Sequence, residues 1–120
     1  LIQGNPIQIY AEGMLIRDFT YIEDIINGIM GILESVDTKK SPGLMNIGNN
    51  KPITVKELVT CLEEAIGKKA LVESLPMQPG DVEKTYADIE RINHYCGFKP
   101  QTTLNEGLRA FISWYVKANG

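Results

Sequence analysis

Three stretches of the chain repeat apolar side chains at helical spacing. The longest runs from Tyr21 to about Val36, with Ile22, Ile25, Ile26, Ile29, Leu33 and Val36 recurring along it. The second sets Val55, Leu58, Val59, Leu62 and Ile66 on one face and is closed by Gly67. The third sets Leu104, Leu108, Phe111, Ile112 and Tyr115 on an inner face. Each begins at a Thr-x-x-Glu pair: Thr20 with Glu23, Thr54 with Glu57, Thr103 with Glu106. In such a capping box the hydroxyl and the carboxylate satisfy two orphan amides at the helix end. Each cap contributes about 1 kcal/mol, so the pairs predict where the helices start. Asp88 is the predicted cap of a shorter helix through Cys96, ended by Gly97. Gly28 and Gly31 weaken the first helix by roughly 1 kcal/mol each relative to alanine. Small residues there suit close packing against a neighbour.

Between the helices the period changes. Ile7-Gln8-Ile9-Tyr10 alternates and predicts a strand, preceded by a closing helical turn at Leu1–Gly4 that Pro6 prevents from continuing. Leu15 to Phe19 is expected to be extended. Leu44 to Gly48 predicts a buried strand, followed by the turn Asn49–Pro52, and residues 70–75 predict another strand. Asp37 to Gly43 reads as a polar loop. Pro76-Met77-Gln78-Pro79-Gly80-Asp81-Val82 cannot be regular structure, having two prolines and a glycine in five residues. No repeat or low-complexity tract occurs.

Composition narrows the classes. At 120 residues the chain has the size of one domain, with an apolar fraction of 43% and 22% charged. A net charge of −3 and a pI near 5.1 argue against nucleic-acid binding, which leaves a basic footprint. No apolar run approaches the roughly eighteen residues of a membrane span, and Leu1–Pro6 lacks the charged leader of a signal peptide. Cys61 and Cys96 fall in separate predicted helices and suit a reduced, cytoplasmic protein better than a disulfide scaffold. One His and two distant Cys make no metal set. The chain starts without Met, and a piece of a longer protein is expected.

Two stretches can carry chemistry. Arg17-Asp18-Phe19-Thr20-Tyr21-Ile22-Glu23-Asp24 presents a guanidinium just ahead of a helix start. Arginine grips phosphate or carboxylate in a planar, bidentate way. The plainer reading is a surface Arg17–Asp18 pair before a well-capped helix. The Pro76–Val82 loop is stiffened by its prolines, so Gln78 and Asp81 are held. A fixed carboxylate accepts from a diol such as that of a ribose, and an amide donates to phosphate or sugar oxygens. Here the plainer reading is a tight turn in which Asp81 caps backbone.

Arg17-Asp18-Phe19-Thr20-Tyr21, Asn46-Ile47-Gly48, Gly80-Asp81-Val82 and Tyr86-Ala87-Asp88 follow one another in an order that resembles the extended short-chain dehydrogenase/reductases. These are the NAD-dependent epimerase/dehydratase family acting on nucleotide sugars. Leu75 to Val82 is most similar to the UDP-glucuronate 4-epimerases. The resemblance implies an α/β fold (α+β when isolated), with about four helices and short strands. Residues 1–120 would form the C-terminal, nucleotide-sugar-binding lobe of a homodimeric parent whose N-terminal NAD-binding Rossmann domain is absent here. It implies that Gln8 and Tyr10 lie beside the uracil, that Arg17 pairs with the pyrophosphate, and that Asp81 holds the ribose hydroxyls. Many relatives place a second phosphate-binding arginine where Gln78 stands, so the pyrophosphate grip is expected to be weaker or completed elsewhere. Thr85 falls near the sugar position of relatives.

In the parent the resemblance implies oxidation of the sugar at C4 by NAD, rotation of the 4-keto intermediate and return of hydride to the opposite face. A UDP-glucose or UDP-N-acetylhexosamine epimerase, a 4,6-dehydratase, or a non-catalytic nucleotide-binding or interaction module are the alternatives. This chain has no Gly-rich dinucleotide turn. The family's catalytic Tyr-x-x-x-Lys is matched in spacing by Tyr95 and Lys99, but Gly97 and Pro100 break the helix needed to align them. His94 reads as a solvated residue. The lobe alone is expected to be inactive, with no catalytic, cofactor-binding or metal-binding residue of its own.

Overall fold

The computed structural model describes residues 1–36, 41 and 43–120. Its elements are β1 (Ile7–Tyr10), β2 (Ile16–Arg17), α1 (Ile22–Glu34), β3 (Ile53–Thr54), α2 (Val55–Ile66), β4 (Val72–Leu75), α3 (Glu90–Cys96) and α4 (Leu104–Asn119). Four helices with short strands make the mixed α/β class expected. The chain divides into two compact units, Leu1–Arg17 with Ile53–Thr85 and Asn105–Gly120, and Asp18–Pro52 with Tyr86–Leu104.

In the first unit β1 and β4 pair in parallel, Ile7 opposite Val72 and Tyr10 opposite Leu75. β2 pairs antiparallel with β3, Arg17 opposite Ile53. The Thr54–Glu57 capping box forms as read. Glu57 N–H donates to Thr54 Oγ1 at 3.1 Å and Thr54 N–H to Glu57 Oε2 at 2.7 Å, and Gly67 ends α2 in the left-handed region. Ile9 and Leu15 are the buried apolar side chains of this unit. α4 begins at Leu104, directly after Thr103, and turns Leu108, Ile112 and Tyr115 partly inward, while Phe111 is half exposed. Between β1 and β2 lies a tight turn absent from the expectation, Ala11–Gly13, in which Ala11 and Glu12 hold positive φ of 49° and 54°.

In the second unit α1 packs on α3 around Ile92 and Phe98, with Ile92 wholly buried. The small residues of α1 are where the packing is closest. A Cβ on Gly28 would stand 3.2 Å from Ile47 and Phe98, and one on Gly31 3.2 Å from Cys96 Sγ.

Several expectations are corrected. Thr20 does not cap α1: the helix is entered from Tyr21, which makes no side-chain cap, and Thr20 Oγ1 donates to the Asp18 carbonyl at 3.4 Å. The start moves one residue on, bringing Asp24 to the third helical position, where its carboxylate is taken by two distant amides. Leu44–Gly48 is not a strand. A strand needs a ladder partner for its amides and carbonyls. Neither sheet includes this segment, and Leu44 is 85% exposed. The cap position of α3 is Ile89, although Asp88 Oδ1 accepts from Glu90 N–H at 2.9 Å. Leu1–Gly4 is a single turn closed by Gly4 N–H onto the Leu1 carbonyl at 3.0 Å. The strand expected over 70–75 is the shorter Val72–Leu75. Most of the loop read at 37–43 lies outside the described residues.

Candidate nucleotide-sugar site

Arg17 is the last residue of β2, and the chain pins that strand on both sides. On one flank Val55 N–H donates to the Leu15 carbonyl at 2.9 Å, alongside the β3 pairing. On the other, residues 83–85 run parallel to it: Ile16 N–H donates to the Glu83 carbonyl at 2.9 Å, and Thr85 N–H to the Ile16 carbonyl at 3.1 Å. The segment leaving Asp81 is thus laid against the strand that ends in Arg17.

Asp81 itself is set by a turn. Asp81 N–H donates to the Gln78 carbonyl at 3.2 Å, with Pro79 and Gly80 at the two central positions and Gly80 at φ 83°. Proline followed by a residue of positive φ is the type II arrangement, which favours glycine at the second place. The two prolines and Gly80 therefore aim one carboxylate.

The outcome is an ion pair across 64 positions: Arg17 Nη2 donates to Asp81 Oδ1 at 2.7 Å. The side chains keep 25% and 30% of their exposure, so the pair lies at the surface with one side open. Arg17 Nη1 donates to its neighbour's carbonyl, Ile16 O, at 2.8 Å and to Glu83 O at 3.4 Å. A guanidinium has five N–H donors. Three are used, and among the described residues the Nε–H and the second Nη2 hydrogen have no partner. Asp81 Oδ1 also accepts from Val82 N–H at 2.9 Å, while Oδ2 accepts nothing from the described residues. Chemically this is a fixed cation beside a fixed acceptor, each part-exposed and with hydrogen-bonding capacity that the described residues do not use.

Arg17 does not pair with Asp18. Asp18 Oδ2 instead accepts from Asn50 N–H and Ala87 N–H, both at 3.0 Å, and its Oδ1 is buried without a partner among the described residues. The plainer reading of a local Arg–Asp pair is thereby corrected. The other residues singled out do not bond to Arg17 or Asp81 through their side chains. Gln8 Nε2 donates to Glu73 Oε2 at 3.2 Å. Tyr10 is half-buried opposite Leu75, the residue from which the Asp81 loop departs. Gln78 contributes its carbonyl to the turn and leaves its side chain exposed. Tyr95 lies in α3 and donates to the Ser35 carbonyl at 3.2 Å, whereas Lys99 follows the left-handed Gly97 that ends the helix. His94 is exposed, and among the described residues no group of His, Cys, Asp or Glu gathers as a metal site. Nor is any described helix long and apolar enough to cross a membrane.

Sequence reasoning missed Asp24. It is 2% exposed, and its two oxygens accept from Gln101 N–H at 3.0 Å and Thr102 N–H at 2.9 Å. The only signal for it would have been a second carboxylate beside the presumed cap, with no indication of its distant partners.

The fold is mixed α/β, and at its surface a guanidinium and a carboxylate are paired at 2.7 Å. Residues 1–48 match the family model described as NAD dependent epimerase/dehydratase family. Over 98% of its length the chain is 37% identical to an uncharacterised protein of Methanocaldococcus jannaschii. Over its whole length it is 37% identical to a UDP-glucuronate 4-epimerase of Arabidopsis thaliana. The crystal structure of the UDP-glucuronic acid 4-epimerase from Bacillus cereus, in complex with UDP-glucuronic acid and NAD, superposes with a TM-score of 0.87 at 32% identity over 98% of the chain. Along nearly its whole length the chain is thus similar to UDP-glucuronate 4-epimerases, and over residues 1–48 to the NAD-dependent epimerase/dehydratase family. It spans 35%, 31% and 37% of the lengths of these three proteins.

The described residues do not form a site for NAD. A dinucleotide fold sends a parallel strand through a glycine-rich turn into a helix N-terminus that faces the pyrophosphate. Here β1 runs into the Ala11–Gly13 turn and then β2, and β4 runs into the Pro76–Val82 loop. Neither parallel strand runs into an α-helix.

Proposed function

We propose that this chain is the nucleotide-sugar-binding lobe of a UDP-sugar 4-epimerase, with UDP-glucuronate as the substrate of the whole enzyme. Arg17 grips the diphosphate through its two open donors, and Asp81 accepts from the ribose hydroxyls through Oδ2. Gln8 and Tyr10 border the uracil, and Gln78 supplies a neutral contact to a sugar or phosphate oxygen. One observation carries the reading: two side chains 64 positions apart meet at 2.7 Å with hydrogen-bonding capacity left over, in a chain related to UDP-sugar epimerases. NAD is held by a Rossmann domain outside these residues. The lobe supplies remote binding energy that orients the sugar. The reading extends to a homodimeric, cytoplasmic parent, and the free thiols Cys61 and Cys96 agree with that compartment.

Titration calorimetry with UDP tests it. Arg17→Ala should weaken binding by roughly 10- to 100-fold, the worth of one or more charge-assisted hydrogen bonds. Equal affinity in the two proteins would sink the assignment of Arg17. A second reading, an interaction module only, draws on α1, where Ile22, Ile26, Ile29, Met30 and Leu33 are each at least 46% exposed. Concentration-dependent sedimentation with no detectable UDP binding would favour it.

A further inference from the structure

The sheet of β1 and β4 has no third strand among the described residues, so β4 keeps an outer edge. Ile7 lies opposite Val72, and Ile7 N–H donates to the Leu71 carbonyl at 2.8 Å. In a parallel ladder that register turns the N–H and C=O groups of residues 71, 73 and 75 toward β1. Those of Val72 and Ser74 point the other way. Beside this edge a cleft of about 330 Å³ opens between the sheet and α2, with Ile9, Val59 and Val72 as its apolar members and Thr60 and Ser74 among its polar ones. Val72 is 51% exposed there. In strand addition the main chain supplies affinity and pockets select alternate side chains, and both parts are present here. We propose that the outer edge of β4 is a docking site for an extended segment of another protein. The segment adds antiparallel to Val72–Leu75, with a Lys or Arg opposite Glu73 and an apolar residue on each side of it entering the cleft.

A second copy of the chain does not fit that edge. Antiparallel pairing of Val72 with Val72 would set Ser74 against Ala70, whose N–H is already taken by Glu63 Oε1 at 2.8 Å. Pairing Ser74 with Ser74 would set Val72 against Pro76, which has no N–H. Pairing Val72 with Ser74 uses both residues fully but brings Glu73 opposite Glu73, and like charges placed so are destabilising. Glu73 accepts from the neutral Gln8 Nε2 at 3.2 Å and has no ion pair among the described residues. The charged members of the cleft, Glu12, Lys56 and Glu63, carry both signs, so Glu73 decides which charge a partner must bring. The inference is independent of the nucleotide reading, because Gln8 and Tyr10 turn their backbone groups to the opposite edge. The plainer alternative is a short edge that Glu73 merely guards.

The test is an NMR titration of the isotope-labelled 120-residue chain with the capped peptide Thr-Val-Lys-Val-Thr and with the same peptide carrying Glu in place of Lys. The Lys peptide should shift the Val72 and Ser74 amides more than those of Gln8 and Tyr10, and should bind about threefold or more tighter than the Glu peptide. Glu73→Lys should reverse that order. Ser74→Pro removes one outward N–H and none that faces β1, a change an edge strand tolerates. It should weaken the Lys peptide about tenfold while leaving the urea midpoint near that of wild type. If neither peptide shifts Val72 and Ser74, or if Glu73→Lys leaves the order of the peptides unchanged, the proposal is overturned. Concentration-dependent self-association of the wild type that Ser74→Pro abolishes would overturn it too, making a second copy the occupant. Should Ser74→Pro not fold, the charge reversal at Glu73 decides alone.

Discussion

Asp24 and Asp81 are both carboxylates on the surface side of their sequence patterns, yet they end in opposite conditions. Asp24 is 2% exposed, with each oxygen closed on a backbone amide of residues 101 and 102. Asp81 stands 30% exposed with one oxygen shared between Arg17 and Val82 and the other open. A carboxylate that finishes its bonds inside the chain is part of the fold. One whose position is fixed by a turn and an arginine, with an oxygen that accepts nothing from the described residues, keeps capacity for a further donor. Asp18 is a third case, with Oδ2 accepting two amides and Oδ1 buried without a partner among the described residues.

The strongest way to break this contrast is to remove each carboxylate. Asp24→Ala leaves two amides without acceptors in a buried place, and should cost about 3 kcal/mol or more of unfolding free energy. Asp81→Ala should cost no more than about 0.5 kcal/mol, because a pair this close to solvent contributes little to stability. It should instead lower UDP affinity by about tenfold or more. Urea denaturation and UDP titration of the two variants give the comparison directly. A large stability loss at Asp81 would make it a structural residue after all.

A subtler pair of substitutions sharpens the contrast. Asp24→Asn must point its NH2 at an amide that was bonded, since both oxygens are committed, and should cost about 2 kcal/mol. Asp18→Asn can put the NH2 where Oδ1 now lies, so both bonds to Oδ2 survive, and should cost about 1 kcal/mol or less. Equal midpoints in urea would show that the bond inventory of these two carboxylates does not govern their worth.

How much of this was legible beforehand follows from how far apart the partners lie. The Thr54–Glu57 box is written in four consecutive residues and formed as read. The identical spelling at Thr20–Glu23 did not form a box, because Asp24 closes on the distant amides of Gln101 and Thr102 and the helix is entered at Tyr21. Local preference yields to tertiary contacts in such cases. Ile7–Tyr10 declared itself by alternation, but its partner, 65 residues on, did not. Leu44–Gly48 has the apolar run of a buried strand, and no composition can report whether a neighbouring strand exists. For the site, the stiffness of Pro76–Val82 and the arginine ahead of a helix were plain. That Arg17 and Asp81 belong together came from resemblance to a family, since nothing in spacing joins positions 64 apart.

The smallest effect concerns Glu57, a carboxylate that, like Asp24, accepts hydrogen bonds at a helix start, here from one amide and one hydroxyl of Thr54, but is exposed. The Thr54 backbone N–H, and then the Thr54 hydroxyl, hold its carboxyl below the ordinary carboxylate value. A group with a depressed folded-state pKa stabilises the fold above its unfolded pKa, and that contribution fades as pH falls through the lowered value. Glu63 is lowered as well, by Lys69 and then the Ala70 amide, so acid dependence of the wild type alone would mix the two. The difference between wild type and Thr54→Val isolates the hydroxyl's share of the box, because the backbone N–H of residue 54 still donates to Glu57 in both. It should be constant from neutral pH down to the ordinary carboxylate range, then shrink as acid protonates Glu57, read as converging urea midpoints over a pH series. A gap that stays constant to the most acid pH would mean that the hydroxyl cap, and not the ionised Glu57, supplies the stabilisation.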